Sequence, residues 1–244
     1  VLVTTAEDRP EPPWWTPRKT RAPRRSLSRE VIVAAALRML RAEGVDGVTM
    51  RRVAAELGTG PASLYAHVAN KDELMDLVFD EIAGDIPIPE PDPARWREQI
   101  VALWTDVYHA LSRNGDIAHT ALARVPLGPN SMRISEFTLA LLYAAGVPRQ
   151  AVAWSVDVLA LFVSANAVED TISADLERQG RDRAEYYEKV GDYFASLPAE
   201  QFPMTVELGP DLSAGDKAER FAFGLDMIVE GLASRIPRDA PDRR

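Results

Sequence analysis

Residues 49–68 read Thr49-Met-Arg-Arg-Val-Ala-Ala-Glu-Leu-Gly58-Thr-Gly-Pro-Ala-Ser-Leu-Tyr-Ala-His-Val68, and this stretch decides the fold class. Thr49 is a helix N-cap residue type, and Met50, Val53, Ala54 and Leu57 follow at the i, i+3, i+4, i+7 spacing of one buried helical face. Gly58-Thr59-Gly60 makes a tight turn. Pro61, whose φ is pre-set at about −65°, then starts a short helix of about two turns through Ser63, Leu64, Tyr65 and His67. Two short helices joined by a glycine-bearing turn predict a helix-turn-helix. A major groove about 12 Å wide admits one α-helix, and the residues that enter first, here Pro61, Ala62 and Ser63, must be small or polar.

The flanks extend the helical pattern. Upstream, Ser28 is an N-cap with Glu30 in the first turn, and Ile32, Ala36, Met39 and Leu40 line one face until Gly44 stops the helix. Downstream, Asn70 and Glu73 form a capping-box-like pair ahead of Leu74, Leu77, Val78 and Ile82. Ile86-Pro87-Ile88-Pro89-Glu90-Pro91-Asp92-Pro93 follows, and proline at every second position permits neither helix nor paired strand. It predicts a stiff extended connector at a domain boundary.

Beyond the connector the helical period returns. Ile100, Leu103, Trp104, Val107 and Leu111 mark one helix, and Ile134, Phe137, Leu141 and Leu142 a second. A long helix is predicted from Pro148 to about Ile172, another from Asp182 to Leu197, and a last one through Phe221, Leu225, Ile228 and Leu232. Residues 198–215, rich in Pro, Gly and acids, predict a loop. No strand alternation competes, so the fold class is all-α. The predicted organisation is an arm over 1–25, a helix-turn-helix domain over 26–85, the connector over 86–93, a helical regulatory and dimerisation domain over 94–236, and a tail over 237–244.

Charge divides along the same lines. The 244 residues carry 28 Lys+Arg against 37 Asp+Glu, a formal charge of −9, which taken whole argues against a nucleic-acid-coated protein. Residues 18–71, however, hold eleven Lys/Arg against four Asp/Glu. The acidic average hides a basic segment, and the arm contributes Arg18, Lys19, Arg21, Arg24 and Arg25 to it. That run enters an adjacent minor groove in one reading and is simply solvated in the other.

Several function classes drop out. Zero cysteines remove disulfides, thiolate metal sites and cysteine nucleophiles, and suit a reducing cytoplasm. The opening Val-Leu-Val lacks the basic start of an export signal. The longest nearly apolar stretch, Val158 to Val168, has about half the ~20 residues of a membrane span, so no membrane partner is expected. No G-x-S-x-G, H-E-x-x-H, phosphate-binding loop or dinucleotide fingerprint occurs, which argues against an enzyme. No metal or cofactor is expected.

The segments Thr49 to Gly58, Gly60-Pro-Ala-Ser-Leu-Tyr-Ala-His-Val68 and Asn70-Lys-Asp-Glu-Leu74 resemble the tetracycline-repressor (TetR) type of bacterial regulator. More weakly, the long helix ending near Glu169 and the stretch Phe221 to Leu232 resemble the dimerisation helices of the tetracycline-repressor subgroup. The resemblance implies that Arg51 reaches a guanine edge or a phosphate, that Pro61, Ala62 and Ser63 face bases and sugars, and that Thr49, Tyr65, His67 and Lys71 grip phosphates. Arginine is the commonest bidentate reader of guanine, and a lysine at a helix start suits a phosphate. Tyr65 is equally a packing residue type, and the His67 imidazole equally satisfies a backbone group.

One recognition helix makes too few base contacts for specificity, whereas a two-fold dimer reads half-sites about 34–36 Å apart. The dimer candidates are Ala153, Ala160, Leu161, Ser164 and Ala165 on the long helix and Leu225, Ile228 and Leu232 on the last, each also readable as core of one subunit. The resemblance further implies a small-molecule effector pocket. Trp104, Tyr108, His109, Phe137, Trp154, Asp157, Phe162, Asn166 and Glu169 are expected near it. Where tetracycline-binding members carry a magnesium-holding His and a Thr-Arg-Pro turn, this chain has Ala121 and Arg124-Val-Pro-Leu127, which argues against magnesium-tetracycline. The expected function is an operator-binding homodimeric repressor released by an effector. An activator, or a helical scaffold whose basic arm binds a protein, are the alternatives.

Overall fold

A computed structural model describes residues 27–114, 117–123, 125–180 and 183–237, and places twelve α-helices and no strand among them. The arm over 1–25 lies outside the described residues, as do Arg124, Asp182 and nearly all of the tail.

The head comprises α1 (Arg29–Gly47), α2 (Met50–Glu56), α3 (Pro61–Leu64) and α4 (Lys71–Gly84). Its helix starts are chemically marked. Ser28 Oγ accepts from Val31 N, Thr49 Oγ1 from Arg52 N at 3.2 Å, and Asn70 Oδ1 from Glu73 N at 2.8 Å. Each satisfies a backbone donor that the first helical turn leaves unpaired. Glu73 departs from a reciprocal capping box, because its carboxylate accepts from Ala69 N rather than from Asn70 N. Gly44 breaks α1 with φ 72° and ψ −177°, a conformation open to a residue without Cβ, and one further turn leads to Gly47.

Regular helix in α3 lasts only four residues. The N–H groups of His67 and Val68 then converge on the Leu64 carbonyl, closing the chain into a turn where a two-turn helix was expected. Ile32, Ala36, Leu40, Val48, Val53, Leu64, Leu74 and Val78 pack into the head's core.

The connector is fastened rather than free. Ile86 is buried, and Gln99, on α5 (Trp96–Ser112), accepts from Asp92 N and donates to Glu90 O, both at 2.8 Å. The body continues through α6 (Ala118–Ala123), α7 (Pro129–Ala144), α8 (Arg149–Arg178), α9 (Arg183–Ser196), α10 (Pro203–Glu207), α11 (Gly209–Ser213) and α12 (Lys217–Ala233). The short helices α10 and α11 replace the loop expected over 198–215. Pro203 and Pro210 sit in their first turns, where a missing N–H costs nothing.

α8 runs to Arg178, six residues beyond the expected end, and is long and apolar enough in composition to cross a membrane. Its apolar residues divide between two stripes. Leu159, Val163 and Ala167 are buried, while Trp154, Val158 and Leu161 face outward. α12 divides the same way, with Phe221, Leu225, Val229 and Leu232 inside and Phe223 and Met227 outside. Leu225 and Leu232, expected on a dimer seam, are therefore core residues of their own chain, because their helical stripe faces the bundle. Ser164 is likewise buried within the chain, Ile228 is half-buried, and Ala165 is exposed.

With Leu225 only 1% exposed, Leu225→Ala leaves a cavity in the bundle and is expected to cost about 2–5 kcal/mol. Denaturant unfolding at fixed protein concentration measures it. A loss under about 0.5 kcal/mol would contradict this burial.

Candidate nucleic-acid interface and effector cavity

The side chains expected at DNA differ in how free they are. Arg51 is exposed and makes no hydrogen bond or ion pair among the described residues, so its guanidinium is free to read an edge or a phosphate. Its neighbour Arg52 is occupied, donating to Glu43 at 2.6 Å and to the Gly47 carbonyl at 2.9 Å. The Arg52 guanidinium holds the Glu43 carboxyl below the usual carboxylate range. Pro61, Ala62 and Ser63 are all exposed at the start of α3, while Leu64 behind them is fully buried. Tyr65 is 54% exposed, so its ring is presented outward rather than packed.

Thr49 is half-buried and committed to its cap, and His67 is half-buried with its carbonyl accepting from Arg29 Nε. Lys71 Nζ donates to the Val45 carbonyl at 3.0 Å, which ties α4 to the end of α1 and leaves the ammonium two further donors. Arg29, whose Nε donates to the His67 carbonyl, was not singled out from the sequence. Its place at the first position of the capped helix α1 is the sequence signal for it.

The residues expected around one pocket separate into different places. A cavity of about 550 Å³ opens between α4, α5, α6, α7 and α8. Trp104 and Asp157 line it, together with Phe79, Ile82, Leu122, Ser131 and Ile134, none of which was expected there. Ala153, Ala160, Leu161 and Ser164, expected on the dimer seam, are also part of this wall. Trp104 is 3% exposed, and its indole N–H has no hydrogen-bond partner among the described residues.

A second, polar cleft of about 330 Å³ takes in Tyr108, Asn166 and Glu169 with Asp170, Lys217 and Arg220. Four of the expected pocket residues line neither cavity. Phe137 is buried in the core, Phe162 stacks against Phe221 at 5.5 Å, His109 is exposed beside Tyr108, and Trp154 faces outward. All are aromatic or polar residues on the right helices, but helical phase turns them away from the void.

Asp170 knits the polar cleft. It accepts from the Tyr108 and Ser112 hydroxyls and from Lys217 Nζ, joining α5, α8 and α12. Burial pushes its carboxyl up, but the Lys217 ammonium and the two hydroxyls outweigh that and hold it below the usual range. The Tyr108 hydroxyl moves from 10.0 to about 12, first through burial and then through its hydrogen bond to Asp170.

The comparisons with known proteins agree with this architecture. Residues 32–78 match the family described as "Bacterial regulatory proteins, tetR family", and residues 88–236 the "Tetracyclin repressor-like, C-terminal domain". The chain belongs to the TetR family. It is a DNA-binding transcriptional regulator. An HTH-type transcriptional regulator from Saccharopolyspora erythraea is 30% identical over 233 residues, covering 95% of each chain. The HTH-type transcriptional repressor DrrR1 from Streptomyces coeruleorubidus is 31% identical over 93% of this chain and 87% of its own length. Among solved structures, ActR from Streptomyces coelicolor in complex with actinorhodin superposes with a TM-score of 0.80 and 41% identity, covering 88% of this chain and 100% of that one.

The Tyr108 and Asp170 shifts set opposite pH limits. A hydroxyl whose folded value lies above its unfolded one stabilises the fold fully below about pH 10, and that contribution disappears as pH rises towards 12. A carboxyl held low stabilises above its ordinary value of 3.8 and loses the contribution as pH falls through its folded value. The stability difference between the parent and Tyr108→Phe is expected to be constant at neutral pH and to shrink above 10. The difference from Asp170→Asn should shrink in acid. Differences that are flat across both limits would contradict the cluster.

Proposed function

We propose that this TetR-family regulator is a homodimeric repressor that binds a two-fold symmetric operator and is released by a bulky, mostly apolar small molecule. The observation that carries the proposal is the double role of α4. Its start carries the half-buried Lys71, expected at a phosphate, and its far end supplies Phe79, Ile82 and Ala83 to the cavity wall. A ligand that prefers one α4 position over another changes the operator affinity by that preference and no more.

Arg51 is the base-reading candidate, with Pro61, Ala62 and Ser63 approaching the groove and Thr49, Tyr65, His67 and Lys71 at phosphates. The outward Trp154 and Val158 on α8 with Phe223 and Met227 on α12 support a dimer seam. Stripes on two neighbouring helices, placed against their two-fold copies, make a four-helix contact.

The mostly apolar cavity disfavours an anionic occupant, since Asp157 is the one acidic or basic residue on its described wall and no Lys or Arg faces it there. Ala121 stands on that wall at the position where the resemblance places the magnesium-holding histidine of tetracycline binders, which disfavours magnesium-tetracycline. ActR holds actinorhodin, by the description of its structure, and actinorhodin is the first compound to test here. The protein acts in the cytoplasm, where its DNA is, and as a binder rather than a catalyst.

On a duplex selected by the protein from a random pool, Arg51→Ala is expected to weaken binding by about 1–3 kcal/mol and to relax the preference at one position of each half-site. Actinorhodin should weaken binding by the parent protein. Equal affinity of the parent, Arg51→Ala and Lys71→Ala for that duplex would contradict DNA reading by the head. Unchanged binding across actinorhodin and a panel of apolar compounds would contradict release by an effector.

A further inference from the structure

The start of α7 has a defect that α4 repairs. Gly128 is the N-cap and offers no side chain, and Pro129 at the first position has no N–H. The N–H groups of Asn130 and Ser131 therefore need an acceptor from elsewhere. Asp80, on α4 and 50 residues away in sequence, supplies it. One carboxylate oxygen accepts from Ser131 N at 2.9 Å and Ser131 Oγ at 3.0 Å. The other accepts from Asn130 N at 3.3 Å and Asn130 Nδ2 at 3.2 Å. Asn130 Nδ2 also donates to the Asp80 backbone carbonyl at 3.1 Å.

The fit is close. Asp80 is 7% exposed, and a Cβ at Gly128 would stand 2.2 Å from its carboxyl carbon, so only glycine admits the carboxylate. A negative group at a helix N-terminus also meets the positive end of the helix dipole, which makes burial of this charge tolerable.

We propose that Asp80 is the positioning residue that sets the angle of the DNA-reading head against the body, by capping α7 from α4. The inference rests on the proposed repressor reading for its biological meaning, and on these hydrogen bonds for its geometry. Ser131 is the shared component, because it donates twice to Asp80 and also lines the 550 Å³ cavity. An occupant of the cavity thus touches a residue that holds the head.

The chain has no cysteine, so two introduced ones can be labelled alone. Ala34→Cys on α1 and Asp106→Cys on α5 are exposed sites on head and body. Nitroxides there, in protein diluted with unlabelled chain, report the head-to-body distance by pulsed electron paramagnetic resonance. The parent is expected to show one narrow distance. Asp80→Ala is expected to shift it or add a second population, and Asp80→Asn, which presents an amide N–H₂ to donors, to do the same.

Ser131→Ala removes only the hydroxyl bond and should produce a smaller change in the same direction. It and Asp80→Asn keep the test alive if Asp80→Ala does not fold. A merely structural Asp80 would lower the unfolding temperature and leave the distance distribution of the folded protein superimposable on the parent's. That result overturns the proposal. The measurement uses neither DNA nor effector, so a failure to bind operator would count against the proposed function and not against this one.

Discussion

A recognition helix of four residues has no stability of its own, and everything else in the molecule is arranged around that constraint. Its one fully buried side chain, Leu64, and the Val68 that follows the turn anchor it into the core shared by α1, α2 and α4. Thr49 and Asn70 cap the helices on either side, and Lys71 ties α4 back to the Val45 carbonyl at the end of α1. The exposed residues can be small because the hidden ones carry the packing. Such a head sets its small exposed residues on a packed base, but only as accurately as the body that holds it.

The body meets that requirement through packing and through placed polar groups. Asp80 caps α7, Arg41 Nε donates to Asn114 Oδ1 at 2.7 Å, and Gln99 pins the proline connector. In the polar cleft, Asp170 on α8 gathers Tyr108 and Ser112 from α5 and Lys217 from α12. Between these attachments lies the apolar cavity, bounded on one side by the helix that ends the head. Charge is uneven along the sequence, since residues 18–71 hold eleven Lys/Arg against four Asp/Glu while the rest is acidic, which suits the end that carries the helix-turn-helix to a duplex.

What could be read from the sequence was local. Ser28, Thr49, Pro61 and Asn70 act on backbone groups within three residues of themselves, so their roles show in the one-dimensional pattern, and the helix-turn-helix with them. The dimer and pocket residues were hardest to assign where two faces of one helix are both apolar. Leu225 and Met227 differ in exposure by more than half of their surface, yet nothing in their residue types says which one faces the chain's own core. A cavity is where side chains do not meet, and no periodicity encodes that. Asp80 reads as one more solvated acid on α4, because its partners at Asn130 and Ser131 come close only through the tertiary fold.

Footprinting on the DNA upstream of the protein's own gene tests the central claim most directly. The account predicts a protected region with two-fold symmetry, its half-sites about one helical turn apart on one face of the duplex, and weakened in both half-sites together when Arg51 is replaced by Ala. A single unsymmetric patch of protection, or binding that falls with salt equally on this DNA and on random sequence, would contradict it.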